Sequence, residues 1–462
     1  MAIKTLQVSA KKLVNQQREF FQSGETQSID FRLSQLKLLR KAILEHQELI
    51  IDATKSDLGR PSFEAYFEIA TLSEIKLAIK KLKNWMRPHR VQTPLEQFPS
   101  TAWIQPEPLG VVLIIGSWNY PFQLTISPLV GAIAAGNCVI LKPSEHAPKT
   151  SSAIFQLINS YFSPNYIAAV EGDVNTCKQL LTEKFDHIFF TGSSAVGKTI
   201  MKAAANHLTP VTLELGGKSP CLVDTDINLE IAAKRIVWGK FINAGQTCIA
   251  PDYLWVNSKV KKVFLKLLKQ QIYNFYGDNP YESSDYGRIV NSSHFSRLKK
   301  FLENGTIIIG GETSLESLYI APTILDNVSL NDAVMQEEIF GPILPVLSYE
   351  NLEETVAYIR SQPKPLAIYV FSNDRIKQNQ FLDQTSSGGV CINDTVMQIS
   401  IPDLPFGGVG NSGMGNYHGK SSFDTFTHKK SVLKKGLWLD LGWRYAPYTV
   451  NKLNQIKKII NG

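Results

Sequence analysis

Between Val111 and Gly197 the chain repeats one unit, a short apolar run followed by a helical stretch, and this repetition restricts its fold more than any other feature. Strands are predicted at residues 111–115, 138–141, 166–170 and 187–190, with helices near 126–135, 150–161, 175–183 and from about 197. Runs that are apolar throughout suit strands covered on both faces. Alternating strand and helix therefore predicts a parallel, doubly wound α/β sheet. A second alternating block, from around Val211 to about Asn411, carries candidate strands at 220–223, 253–256, 343–347, 367–371 and 389–392 and predicts a second α/β domain. From Val8 to Lys81 apolar residues recur at helical spacing, with Leu36, Leu39, Ile43 and Ile50 on one face, which predicts a helical N-terminal region. Ser431 to Lys434 reads as an edge strand, whose unpaired backbone suits pairing with another subunit.

At 462 residues the chain exceeds what one hydrophobic core organises, so more than one domain is expected. Hydrophobic residues at 44% and charged residues at 19% exclude disordered and fibrous classes. The net charge of +7 comes from 48 basic and 41 acidic residues interspersed along the chain, which reads as a solvated surface and gives nucleic-acid binding no support. Cys138, Cys177, Cys221, Cys248 and Cys391 are widely spaced and lack metal-ligand pairing, so neither a disulfide framework nor a zinc site is expected, and no metal is assigned. The segment from Met1 to Leu13 has no apolar core of a secretory signal, and no run reaches the roughly 18 to 20 apolar residues of a membrane span. A cytoplasmic location is the expectation.

Five segments carry candidate chemistry. Cys248 follows Gly245-Gln246-Thr247, a small polar turn that leaves a thiol room and backbone donors; a buried structural cysteine is the alternative. Glu214 lies between Leu213 and Leu215, ahead of Gly216-Gly217-Lys218. Apolar neighbours raise a carboxyl's pKa and so suit it to take a proton from water, whereas a strand-end glutamate paired with Lys218 is equally compatible. Asn119, in Trp118-Asn119-Tyr120-Pro121-Phe122, follows an apolar strand, where an amide can donate to a developing oxyanion or merely shape a turn. Glu337-Glu338-Ile339-Phe340-Gly341-Pro342 combines carboxylates with an aromatic at a turn, fit for ribose and nicotinamide or simply for a surface.

The fifth segment, Gly192 to Thr199, fits the pattern G-x-x-x-x-G-K-S/T of a phosphate-cradling loop, and an ATPase or GTPase is the rival reading. No downstream strand ends in a convincing magnesium-binding aspartate. A strand, a Gly-containing turn and a helix N-terminus hold a dinucleotide pyrophosphate by the same physics. A catalytically silent dinucleotide-binding protein is the other alternative.

Together with Lys142-Pro143-Ser144-Glu145, Phe190-Thr191-Gly192-Ser193 and Pro405-Phe406-Gly407-Gly408, these segments resemble the aldehyde dehydrogenase superfamily, in the family's order and over nearly the whole chain. Gly245 to Tyr253 and Gly413 to His428 look like its class 3 branch, which includes fatty- and aromatic-aldehyde enzymes. One departure is Gln398, where class 3 relatives often carry histidine.

The resemblance implies a Rossmann-like NAD(P)-binding domain at residues 1–85 and 104–210, a catalytic domain at 211–415, and bridging or oligomerisation segments at 86–103 and 425–462. It implies Cys248 as nucleophile, Glu214 as general base and Asn119 as oxyanion donor. For NAD or NADP it implies Trp118, Lys142, Ser144, Glu145, Gly192, Ser193, Val196, Gly197, Leu215, Glu338 and Phe340, with Tyr120, Trp238, Ile399 and His418 along a substrate tunnel. Lys142 attracts a 2'-phosphate and Glu145 repels it, so cofactor choice stays open. The expected reaction is oxidation of medium- or long-chain, aromatic or polyene (apocarotenal, retinal) aldehydes to acids by a homodimer. Trp438, Trp443, Tyr445 and Tyr448 precede an amphipathic stretch in which Leu453, Ile456 and Ile460 share a face. That tail can reach a membrane interface, roof the tunnel or pack on the body.

Overall fold

Three sheets and a short two-stranded ribbon organise the chain in a computed structural model that describes residues 9–461. Val8, the predicted start of the helical region, lies outside the described residues. The predicted parallel strands form at Val111–Ile115, Cys138–Lys142, Ile167–Ala169 and His187–Thr191. Val111–Ile115 lies between Cys138–Lys142 and His187–Thr191, parallel to both, so the direction of winding reverses beside it. That reversal opens the crevice where such sheets hold ligands.

Val211–Glu214, which the sequence places at the start of the second block, instead extends this first sheet, parallel to His187–Thr191. Gly413–Met414 returns from far along the chain to close the sheet's edge, with Gly413 opposite Glu214. The helices Ala10–Gln22, Ile29–Glu45, Gln47–Leu58 and Thr71–Trp85 supply the N-terminal region. Leu36, Leu39, Ile43 and Ile50 are fully buried, the outcome their spacing predicts.

The second sheet has seven strands, of which Pro220–Val223, Tyr253–Asn257, Ile343–Tyr349, Ala367–Phe371 and Gly389–Ile392 were legible as apolar runs. Thr323–Asp326 and Thr306–Ile309 were not, because the first is short and the second, antiparallel and at the edge, is half exposed. Each large sheet has its own buried apolar cluster, and Phe406 packs against both. Helices on the second sheet start on Asn or Asp caps; Asn228, for example, accepts from the Ile231 N–H.

A third sheet pairs Thr427–Lys435 antiparallel with Ser100–Pro108. The predicted edge strand is therefore present and longer than expected, and among the described residues its outer edge carries no further strand. Beyond it the helix Val450–Asn461 buries none of its residues, so packing on the body is not its arrangement.

Candidate active site

The two large sheets meet end to end. Residues 215–219 carry the chain from the C-terminal end of Val211–Glu214 straight into the N-terminal end of Pro220–Val223. Segments that end strands of the first sheet thus face segments that begin strands of the second. Cys248 precedes Tyr253–Asn257, Glu338 precedes Ile343–Tyr349, and Asn119 follows Val111–Ile115.

Cys248 is reached through a left-handed turn: Asn243 has φ 54° and ψ 32°, Ala244 has φ 51° and ψ 36°, and Gly245 has φ 75°. Left-handed backbone costs a non-glycine residue about 1–2 kcal/mol, so neighbouring contacts must hold the turn. Here they do. The Asn243 N–H donates to Glu64 Oε2 at 2.9 Å, and its side-chain amide donates to the carbonyls of Asn119 at 2.9 Å and Gln246 at 3.0 Å. Glycine is required at 245, since a Cβ there would lie 2.2 Å from the Gly341 carbonyl oxygen. Cys248 itself is half-buried. Burial, then the negative charges of Glu338 and Glu214, push its thiol up to about 12, opposed by hydrogen bonding from its own N–H and that of Ile249.

Asn119 comes to the same turn. It is buried, and its side-chain amide donates to the Gln246 carbonyl at 3.1 Å, two residues before the thiol. An amide has two N–H groups, and the second remains a donor. Next to it Tyr120 Oη lies 2.8 Å from Thr247 Oγ1.

Glu214 is 3% exposed at its strand end, and neither carboxyl oxygen has a hydrogen-bond partner among the described residues. Burial alone raises its pKa well above the ordinary carboxyl value. Lys218, the partner open to it from sequence, is bound elsewhere: its Nζ lies 2.5 Å from Asp252 Oδ2 and donates to the Val334 and Glu337 carbonyls. Such burial without compensation is costly for an ionised group and marks a carboxyl poised to accept a proton.

Glu338, one of the residues assigned to a dinucleotide, lies near enough to Cys248 for its charge to act on the thiol. Asp252 Oδ1 accepts from the Ile339 N–H at 2.9 Å, and Arg297 donates to the Glu338 and Ile339 carbonyls at 3.1 and 2.6 Å, which fixes the Glu338 loop. Gly216 approaches Glu338 so closely that a Cβ would sit 2.0 Å from Oε2. Burial, then the charge of Asp252, moves the Glu338 carboxyl up to about 8. Trp118 meets Phe340 edge-on at 5.3 Å and His294 at 5.1 Å, an aromatic cluster to which sequence reasoning did not assign the histidine. A cleft of about 290 Å³ runs past Ser194, Gly216, Glu338 and Asn411. Lys142 is buried and donates to Glu145 Oε2 at 2.9 Å, while the Ser144 hydroxyl accepts from the His146 N–H. The lysine and the glutamate offset each other.

The phosphate-loop rival fails on local geometry. The helix Ser194–Ala205 begins directly after Gly192 and Ser193, so residues 194–197 are a helical turn and cannot wrap a triphosphate. Ser193 caps that helix by accepting from the Val196 N–H. First-turn amides, with no acidic residue among them, suit a pyrophosphate. Gly197 packs closely on Leu215, since a Cβ there would meet the Leu215 Cδ2 methyl at 2.8 Å and displace it.

The residues assigned to a tunnel are more dispersed. Trp238 lines an outer groove of about 380 Å³ with Ile231, Arg235 and Phe275. Ile399 is half-buried in the turn Met397–Ser400. His418 is buried against Phe406 and Tyr417, with Nδ1 3.5 Å from Glu74 Oε1. Gln398 donates to Tyr369 Oη at 3.2 Å, and Tyr369 donates to the Ile249 carbonyl beside Cys248. Gln398 is thus two hydrogen bonds away from Ile249, the residue after Cys248.

Sequence reasoning missed three residues around the turn: Arg60, Glu64 and Glu68. Charged residues in an N-terminal helical region read as surface, and nothing local distinguishes these.

Comparison with known proteins agrees with this geometry. The model of the Aldehyde dehydrogenase family matches residues 4–432. The 4,4'-diaponeurosporen-aldehyde dehydrogenase of Staphylococcus aureus is 49% identical over 435 residues, 93% of this chain and 95% of that protein. The dimeric NADP-preferring aldehyde dehydrogenase of Rattus norvegicus is 49% identical over 431 residues, 93% of this chain and 95% of its own. A solved structure of the substrate-bound state of Staphylococcus aureus AldH superposes with a TM-score of 0.95 at 47% identity, covering 100% of both chains.

Proposed function

The chain belongs to the aldehyde dehydrogenase family, and from that premise we propose that it oxidises apolar medium- to long-chain aldehydes, polyene aldehydes among them, with Cys248, Glu214 and Asn119 as its catalytic residues. It is an NAD(P)-dependent oxidoreductase. The observation that carries the reading is one convergence: a thiol in a held turn, an amide bonded to that turn, and a buried carboxyl with no partner.

In this mechanism Cys248 loses its thiol proton to solvent and adds as the thiolate to the aldehyde carbon, and the carbonyl π-electrons move onto oxygen. The Asn119 amide and the Cys248 N–H stabilise that oxyanion. Collapse of the oxyanion would break the carbon–hydrogen bond and leave the acyl group on Cys248 as a thioester; NAD(P)+, when bound, would supply the acceptor for that hydride. Glu214 then takes a proton from water as the water oxygen attacks the thioester carbon. Its raised pKa makes it the stronger base. The C–S bond breaks, the thiolate is released, and the acid leaves. Two accessible steps replace one hard one.

Glu338, Phe340 and Trp118 would hold the nicotinamide end, Gly192, Ser193, Val196, Gly197 and Leu215 the pyrophosphate side, and Lys142, Ser144 and Glu145 the adenine ribose. The first sheet, Val211–Glu214 and Gly413–Met414 included, would form the cofactor domain with the N-terminal helices, and the second sheet the catalytic one. Thr427–Lys435, with a free outer edge, would pair with a second copy. No helix among the described residues is long and apolar enough to cross a membrane. We assign the exposed tail helix either to a membrane surface or to the tunnel mouth.

Steady-state rates over a series from acetaldehyde to decanal, run with NAD+ and with NADP+, test the substrate class. We expect kcat/KM to rise with chain length, and a preference for acetaldehyde would defeat the proposal.

A further inference from the structure

Arg60 is a buried cation near the site, and its side chain has no exposed surface. Its guanidinium joins three parts of the molecule. Nη1 donates to Glu68 Oε1 at 2.8 Å, Nε donates to Asn243 Oδ1 at 2.8 Å, and Nη2 donates to the Asn119 carbonyl. The same group lies 4.5 Å from the centre of the Tyr120 ring. Glu68, equally enclosed, accepts at Oε2 from the Phe122 N–H at 3.0 Å and the Gln123 N–H at 2.8 Å, the start of the helix that follows Asn119. Asn243 in turn donates from its side chain to the Asn119 carbonyl and from its backbone to Glu64.

We propose that Arg60 is a positioning residue that fixes the Asn119 segment and the left-handed cysteine turn in register, so that two oxyanion donors from different sheets meet one oxygen; this rests on the roles proposed above for Cys248 and Asn119. Three arguments support it. A fully buried ion pair adds little net stability against an apolar replacement, so stability alone does not explain its presence. Asn243 and Ala244 hold strained backbone, and Arg60 bonds the side chain that secures that turn. Only a planar, forked donor reaches an amide oxygen, a carboxylate and a backbone carbonyl in one geometry, which a lysine ammonium cannot.

The test compares Arg60→Met and Arg60→Lys with the wild type and with Cys248→Ala. It measures kcat and KM for decanal, cofactor Kd, and thermal melting to confirm that each variant is folded. A displacement on the order of 1 Å at a reacting centre costs about 100-fold in rate, so Arg60→Met should lose about that in kcat while decanal KM and cofactor Kd stay within a few-fold. Arg60→Lys, which keeps the charge and so the fold, should lose a smaller but clear part of kcat with the same unchanged KM. Wild-type kcat in folded Arg60→Lys would overturn the proposal, as would a loss confined to KM or to melting temperature. If Arg60→Met does not fold, the lysine variant decides alone. Cys248→Ala separates the two levels. If it is silent while Arg60→Lys turns over normally, only the Arg60 proposal falls. If it turns over normally, the assignment of the nucleophile falls first.

Discussion

Two segments of this molecule are held in opposite ways: the cysteine turn at residues 242–248 and the tail after residue 436. The turn is strained, buried and tied down by hydrogen bonds from Asn243 and Gln246. The tail is unstrained and touches little: Leu437 is 99% exposed, Tyr448 is 79% exposed, and Trp438 meets the body through a ring contact with Phe98. Within the tail, Arg444 pairs with Asp440, and Lys452 donates to the Tyr445 and Pro447 carbonyls. The contrast separates two tasks. Bond-making needs atoms fixed to a fraction of an ångström and draws on over-determined backbone. Meeting an apolar substrate or surface needs area and freedom, which exposed aromatic and aliphatic side chains supply.

The contrast breaks most decisively at the thiol. Cys248→Ala should abolish aldehyde oxidation, a loss on the order of a million-fold where a nucleophile is removed, with cofactor affinity kept within a few-fold by titration. Substantial residual turnover would mean that the fixed turn serves packing only.

A smaller change should sharpen the electrostatics. The Glu338 charge disfavours the Cys248 thiolate, so Glu338→Gln removes a negative neighbour and lowers the thiol pKa from about 12. Below that value the thiolate fraction rises as pKa falls. Iodoacetamide should therefore label Cys248 faster in the variant between about pH 9 and 11, where Glu338 is ionised in the wild type, with the difference fading below about pH 8, and an unchanged labelling profile would place Glu338 outside the thiol's field.

The smallest effect belongs to the tail. Exchanging Leu453 and Ile460 for serine should change unfolding free energy by no more than about 0.5 kcal/mol, since both are exposed. Decanal KM should nevertheless rise while acetaldehyde KM holds. Equal effects on both aldehydes would remove the tail from substrate selection.

Much of this architecture is visible in local pattern. Val111–Ile115 and residues 138–141 are apolar at every position, and Leu36, Leu39, Ile43 and Ile50 repeat at helical spacing, so strands and helices follow from windows of a few residues. The small residues around Cys248 and the apolar flanks of Glu214 likewise signal their chemistry locally. Thr306–Ile309 escaped because an exposed edge strand carries no such pattern.

What the sequence by itself determined, then, is the element order and the parallel winding, because periodicity is a short-range property. Only the tertiary structure decided that Val211–Glu214 joins the first sheet, that Lys218 bonds Asp252 and leaves Glu214 with no hydrogen-bond partner among the described residues, and that Arg60 spans to Asn119 and Asn243. Those contacts join residues 34, 59 and 183 positions apart, and which of several chemically suitable partners a buried charge finds is set by how the layers pack.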